Sequence, residues 1–136
     1  MKWRDSFPPA AAAAPAPDAQ FTRLYTDAAG LHPRDRHLRV VGWAVVSSHG
    51  TVASGHLPIG AAVHTGELTA AITALEWLHP DGCCVSDCQA VVRSVTDDYL
   101  AARAGQSRPP SALHALWDRA RATYGKLSAP PIRWMP

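Results

Sequence analysis

Three acidic side chains, Asp27, Glu67 and Asp87, stand where the hydrophobic pattern of this chain calls for the edge of a core. Any fold the chain adopts must satisfy them, because an unpaired buried charge is costly. Asp27 ends the alternating segment FTRLYTD, with Phe21, Arg23, Tyr25 and Asp27 on one face and Thr22, Leu24 and Thr26 on the other. Glu67 opens a helical pattern and falls at the margin of its apolar side, in line with Ala71, Ala74, Leu75 and Leu78. Asp87 ends the short apolar segment CCVSD. No matching basic partner is evident in the neighbouring sequence, so the natural partner is a divalent cation held by oxygen ligands.

The elements around these residues follow from periodicity. The segment FTRLYTD predicts a strand, and β-branched and aromatic residues predict a second over about 38–47. Ser48-His49-Gly50 is a turn signal, and TVASGHLPI reads as a third strand, antiparallel to the second. Thr65 is the expected N-cap of a helix over roughly 66–78, whose apolar stripe is Leu68, Ala71, Ile72, Leu75 and Leu78. His79-Pro80-Asp81-Gly82 is expected to end that helix, and CCVSD to form a short buried fourth strand. QAVVRSV predicts a short helix, and Thr96-Asp97-Asp98 the cap of another that ends near Gly105. Beyond Pro109-Pro110, Ser111 is placed to cap a last helix with Leu113, Leu116, Trp117, Ala120 and Tyr124 on one face. IRWM opens a fifth strand. The order is an α/β pattern: a mixed five-stranded sheet, its first three strands antiparallel and the later ones parallel to the first, with helices on both faces.

Bulk properties narrow the function classes. The 136 residues suffice for one domain with a core, at 47% hydrophobic and 18% charged. A formal net charge of +2 does not demand non-specific nucleic-acid binding, and HPRDRHLR at 32–39 is the most basic run, read first as a solvated loop. Cys83, Cys84 and Cys88 make an odd, tightly spaced set, which points to a reducing compartment. With His79 they lack the second ligand pair of a zinc finger, so core packing is the better reading. No apolar run reaches the ~20 residues that span a bilayer, so no membrane partner is expected. Residues 1–20 read as a disordered Ala/Pro-rich leader, since Pro8, Pro9, Pro15 and Pro17 interrupt any signal-like apolar run.

If the fourth strand lies parallel beside the first, Asp27 and Asp87 meet at the carboxyl ends of neighbouring strands about 4.8 Å apart. Glu67 then arrives from the helix above. Three such carboxylates resist joint ionisation without a cation, and hard oxygen donors suit Mg²⁺ or Mn²⁺. Two ions about 4 Å apart can activate water and stabilise a leaving oxygen in phosphodiester hydrolysis.

The segments LYTDAAG, GELTAAITALEWL and SDCQAVV, in that order, resemble the ribonuclease H domain, and most of all the domains attached to retroelement reverse transcriptases. The likeness spans residues 21–136, with the acids 40 and then 20 residues apart. It implies that Asp27, Glu67 and Asp87 are the catalytic metal ligands, that two Mg²⁺ or Mn²⁺ ions bind there, and that the substrate is the RNA strand of an RNA–DNA hybrid. It also places Ala28 and Gln89 against nucleic acid, with RNA told from DNA by its 2′-hydroxyls. A monomeric domain, with a reverse transcriptase domain of the parent polyprotein as a further partner, completes what it implies. Trp117 and Trp43 are read as packing residues.

Departures bear on activity. Ala28 and Ala29 replace the family's Gly and Ser, and Cys88 stands where Ser is usual. A fourth acid and a loop histidine follow the fifth strand in the family, and the sequence ends at Trp134-Met135-Pro136 before those positions. The domain is therefore expected to lack its C-terminal loop and helix, and a non-catalytic, nucleic-acid-binding remnant is the alternative. An integrase or transposase core would place the Glu last among the acids, and here it stands between two Asp. Carboxylates satisfied by backbone caps with no metal remain the remaining reading.

Overall fold

A computed structural model describes residues 20–107 and 111–136. The proposed leader thus lies outside the described residues except for Gln20, as does the Pro109-Pro110 break. Five strands and three helices follow in the order β1 (Phe21–Leu31), β2 (Val40–Ser47), β3 (Gly50–His56), α1 (Val63–Trp77), β4 (Leu78–Ser86), α2 (Gln89–Arg103), α3 (His114–Tyr124) and β5 (Ile132–Trp134). The sheet order is β3-β2-β1-β4-β5. β1–β2 and β2–β3 are antiparallel, and β1–β4 and β4–β5 are parallel, as the element order predicts.

Local chemistry accounts for the hairpin between β2 and β3. Ser47 Oγ accepts from His49 N at 3.1 Å and donates to Gly50 O at 3.2 Å, and Gly50 takes φ 124°, a conformation that costs other residues dearly. On one face of the sheet Leu24, Trp43, Val45, Ala53, Cys84 and Ile132 join a single core with α1, α2 and α3. Burial of these side chains, each worth about 1.5–3 kcal/mol for a large aliphatic, supplies most of the driving force. Trp43 and Trp117 both pack on this core, as read from sequence.

The helices differ from expectation in four ways. α1 starts at Val63 with Ala62 as N-cap and no side-chain cap, so Thr65 lies inside the helix, where its carbonyl accepts from Thr69 Oγ1 at 2.7 Å. The helix yields at Trp77 to a longer β4, which takes in Leu78 to Gly82. The two helices expected after Asp87 are one, because Val91, Val95 and Tyr99 form one unbroken buried stripe and outweigh the capping signal at Thr96. Helices on both faces hold for one face only among the described residues. All three share the face of Leu24 and Trp43, and Arg23, Tyr25, Val46, Cys83 and Arg133 on the opposite face are exposed or half-exposed. Among the described residues no helix is long and apolar enough to cross a membrane.

Candidate active site

The parallel register of β1 and β4 decides where the acids go. Tyr25 pairs with Val85 and Thr26 with Ser86, so the next residues along, Asp27 and Asp87, emerge side by side at the same sheet edge. Asp27 lies inside β1 rather than at its end, and Asp87 lies one residue past β4. Glu67 reaches them from the second turn of α1. One ligand oxygen from each of the three lies within 4.8 Å of the others.

Close approach of α1 to the sheet makes this meeting possible. A Cβ at Gly66 would fall inside contact distance of Val41 Cγ1 and 3.1 Å from Ala28 Cβ, so the residue before Glu67 has no room for a side chain. The backbone N–H of Ala28 then donates to Asp27 Oδ1 at 2.9 Å and to Glu67 Oε1 at 3.2 Å. This shared donor draws the two carboxylates together without a side chain. Glu67 Oε2 is buried and has no hydrogen-bond partner among the described residues.

The electrostatics are those of crowded, desolvated anions. Glu67 is 7% exposed, Asp27 half-buried and Asp87 exposed. Burial, then the charges of Asp27 and Asp87, push the Glu67 carboxyl up from 4.5 to about 8, against the opposing pull of the Ala28 N–H. An orphaned buried oxygen beside two further carboxylates is a donor set that fits a hard divalent cation. It fits a thiolate-seeking ion poorly, and no cysteine joins the cluster. Cys84 is fully buried with its thiol held well above the usual range, and burial also raises Cys83 against the pull of Arg133 and Arg23. Among the described residues the acid trio is the group able to hold a metal ion.

The other residues singled out from sequence are placed as follows. Ala28 is at the centre of the site through its N–H. Gln89 is exposed and begins α2, two residues beyond Asp87. Two residues that sequence reading passed over hold the Asp87 backbone. Trp134 Nε1 donates to Asp87 O at 3.2 Å, and Ser86 Oγ accepts from Cys88 N at 3.0 Å. A Trp on the strand beside β4 was the signal available for the first.

No protein-family model matches the chain, and no curated protein matches it. Solved structures do. The foamy viral protease-reverse transcriptase in complex with dsDNA matches at 17% identity over 89% of this chain and 85% of that one, with a TM-score of 0.60. LC9-RNase H1, a type 1 RNase H with the type 2 active-site motif, matches at 18% identity and a TM-score of 0.56, over 83% of this chain and 61% of that one. The PFV RNase H domain in solution matches at 15% identity and a TM-score of 0.54, over 85% of this chain and 78% of that one. The sheet order, the mixed strand directions and these likenesses agree: the chain has the ribonuclease H-like fold.

Proposed function

We propose that this domain, residues 21–136, is a metal-dependent endonuclease that hydrolyses the RNA strand of RNA–DNA hybrids. The observation that carries the reading is the convergence of Asp27, Glu67 and Asp87 around a buried Glu67 oxygen that has no hydrogen-bond partner among the described residues. In this reading the three carboxylates are the catalytic metal ligands. Mg²⁺ or Mn²⁺, expected as two ions, supplies charge neutralisation and water activation at a scissile phosphate when bound there. The Ala28 N–H holds Asp27 and Glu67 in their mutual arrangement. In the same reading the carboxamide of Gln89, exposed at the start of α2, hydrogen-bonds a base edge or 2′-hydroxyl in the minor groove. A covalent neighbour of the reverse-transcriptase kind belongs to the same reading, since the foamy viral protein of similar fold is a protease-reverse transcriptase.

The test compares an RNA–DNA hybrid with duplex DNA and duplex RNA, each with Mg²⁺ and with Mn²⁺. Cleavage of the hybrid's RNA strand alone is expected. Asp87→Asn lowers the rate by more than about 100-fold, the scale on which even an outer-shell partner of a metal acts. Intact substrates under both ions refute the nuclease reading. A second reading, hybrid binding without turnover, is favoured by one observation: Ala28 and Ala29 stand beside Asp27 where the sequence resemblance implies Gly and Ser. Hybrid retention in Ca²⁺, with no product in Mg²⁺ or Mn²⁺, selects it.

A further inference from the structure

We propose that the loop between β1 and β2, residues 32–39, grips the phosphate backbone of the nucleic acid beside the acid trio, through Arg34 and Arg36. The inference rests on the nucleic-acid reading above and names a contact surface which that reading does not use. The loop carries three arginines and two histidines against one aspartate. Such a run is usually a solvated surface, and its internal bonding is what sets this one apart.

Asp35, the single acid, is committed to the backbone. Its Oδ1 accepts from His37 N at 3.0 Å, its carbonyl accepts from Leu38 N at 3.0 Å, and its N–H donates to His32 O at 3.1 Å. Its carboxylate is therefore engaged in shaping the turn. Arg39 is committed too: it donates to Ala61 O at 2.6 Å, Gly60 O at 2.6 Å and Pro33 O at 3.1 Å. Gly60 N returns a bond to Arg39 O at 2.9 Å. These bonds clamp the loop to the segment that leads directly into α1. Arg34 and Arg36 remain exposed, with no ion pair or hydrogen bond from their side chains among the described residues. A clamped loop that presents two uncommitted guanidiniums has the form of a preorganised anion contact, since the planar fork matches a phosphate in two-point fashion.

Position adds the second argument. From Asp27, β1 runs on only to Leu31 before the loop begins, a span of roughly 13 Å. That is the rise of about four nucleotides along one strand. α1 brings Glu67 to within one turn, about 6 Å, of its start at Val63, just past the segment that Arg39 clamps. Loop and trio thus share the same edge of the sheet. Three carboxylates repel a phosphate backbone, and a net charge of +2 gives the whole molecule little attraction to offset this. A local basic contact a few nucleotides away meets that need.

The test measures binding of a labelled RNA–DNA hybrid to the full chain in Ca²⁺ across a range of salt. The unaltered chain is compared with Arg34→Gln/Arg36→Gln and Arg34→Lys/Arg36→Lys. Losing two phosphate contacts lowers the slope of log affinity against log salt by about 1.5–2 and weakens binding at low salt by roughly 10-fold or more. The lysine pair retains most of the slope. Thermal midpoints of all three match, as both positions are exposed. If the glutamine pair binds with the slope and affinity of the unaltered chain, this inference is wrong and the nuclease reading survives. If the unaltered chain binds no hybrid, both fall.

Discussion

Glu67 is subject to opposing demands. The fold buries its carboxyl under α1, and the charges of Asp27 and Asp87 crowd it, so its proton is held up to about 8 instead of 4.5. Between those two values the folded state binds more protons than the unfolded chain, so stability falls as pH rises through the window. For the metal-free protein this predicts higher resistance to urea at pH 5 than at pH 8, by ~3.5 kcal/mol at most. Glu67→Gln removes most of that dependence, and urea titrations at the two pH values check both statements. An unfolding free energy that is flat, or rises, from pH 5 to 8 contradicts the burial argument. The acids themselves were legible in sequence because their positions clash with the apolar pattern. The Ala28 N–H that binds two of them was not, since a backbone donor leaves no mark on residue type. Trp134 was hidden for a related reason: its indole serves the Asp87 carbonyl only once β5 has docked beside β4.

α1 is the element on which the site's geometry depends. Its sequence, VHTGELTAAITALEW, is rich in small residues, and Gly66 through Leu75 are all buried. That composition lets the helix settle close to β1 and β2. Gly66→Ala is expected to push it outward, since the added methyl group meets Val41 and Ala28. Overpacking of this kind costs about 1–3 kcal/mol. It also draws Glu67 away from the Ala28 N–H, so hybrid cleavage is expected to fall by ~10-fold or more, the scale of small misplacements at a reacting centre. Thermal melts and cleavage rates of the variant read the two effects separately; unchanged values in both refute the close-packing account. A second element-scale test concerns the seam between α2 and α3. Asp98 accepts from Arg121 Nη2 at 2.7 Å and from Tyr124 Oη at 3.0 Å. Asp98→Ala removes the carboxylate that both donors share across the seam and is expected to lower stability by about 1.5–3 kcal/mol in urea denaturation. Here local reading of the sequence misled. Asp98 was assigned with Thr96 and Asp97 to a helix start, and its actual partners lie more than twenty residues further along the chain. Tertiary pairing, invisible to a window of neighbours, turned a capping signal into the middle of one helix.

At the scale of the whole molecule, strand order and direction were legible because each transition carried its own signal: turn residues between β2 and β3, and helical spacing before β4. Which face each helix covers was not. That depends on how the crossovers pack, and the sequence bears only the faint trace that Arg23 and Tyr25 alternate with Leu24 and Thr26. The same architecture makes the acid trio a joint between distant parts of the chain. An ion held by Asp27, Glu67 and Asp87 would tie β1, α1 and the end of β4, segments 40 and 20 residues apart. Unfolding separates all three ligands, so binding is coupled to global stability by RT ln(1 + [L]/Kd), about 2.7 kcal/mol at 100 times Kd. For a chain of this size that is a rise in Tm on the order of 10 °C. Binding must also displace the proton that Glu67 keeps up to about 8, so the gain is largest at pH 8 and shrinks toward pH 5. Thermal melts with Mn²⁺ and with Mg²⁺ at the two pH values, beside Glu67→Gln, measure this coupling without any nucleic acid present. The expected pattern is a rise at pH 8 that is lost at pH 5 and lost in the variant. A Tm indifferent to both ions at pH 8 would mean that the three carboxylates, though adjacent, do not act as one ligand set.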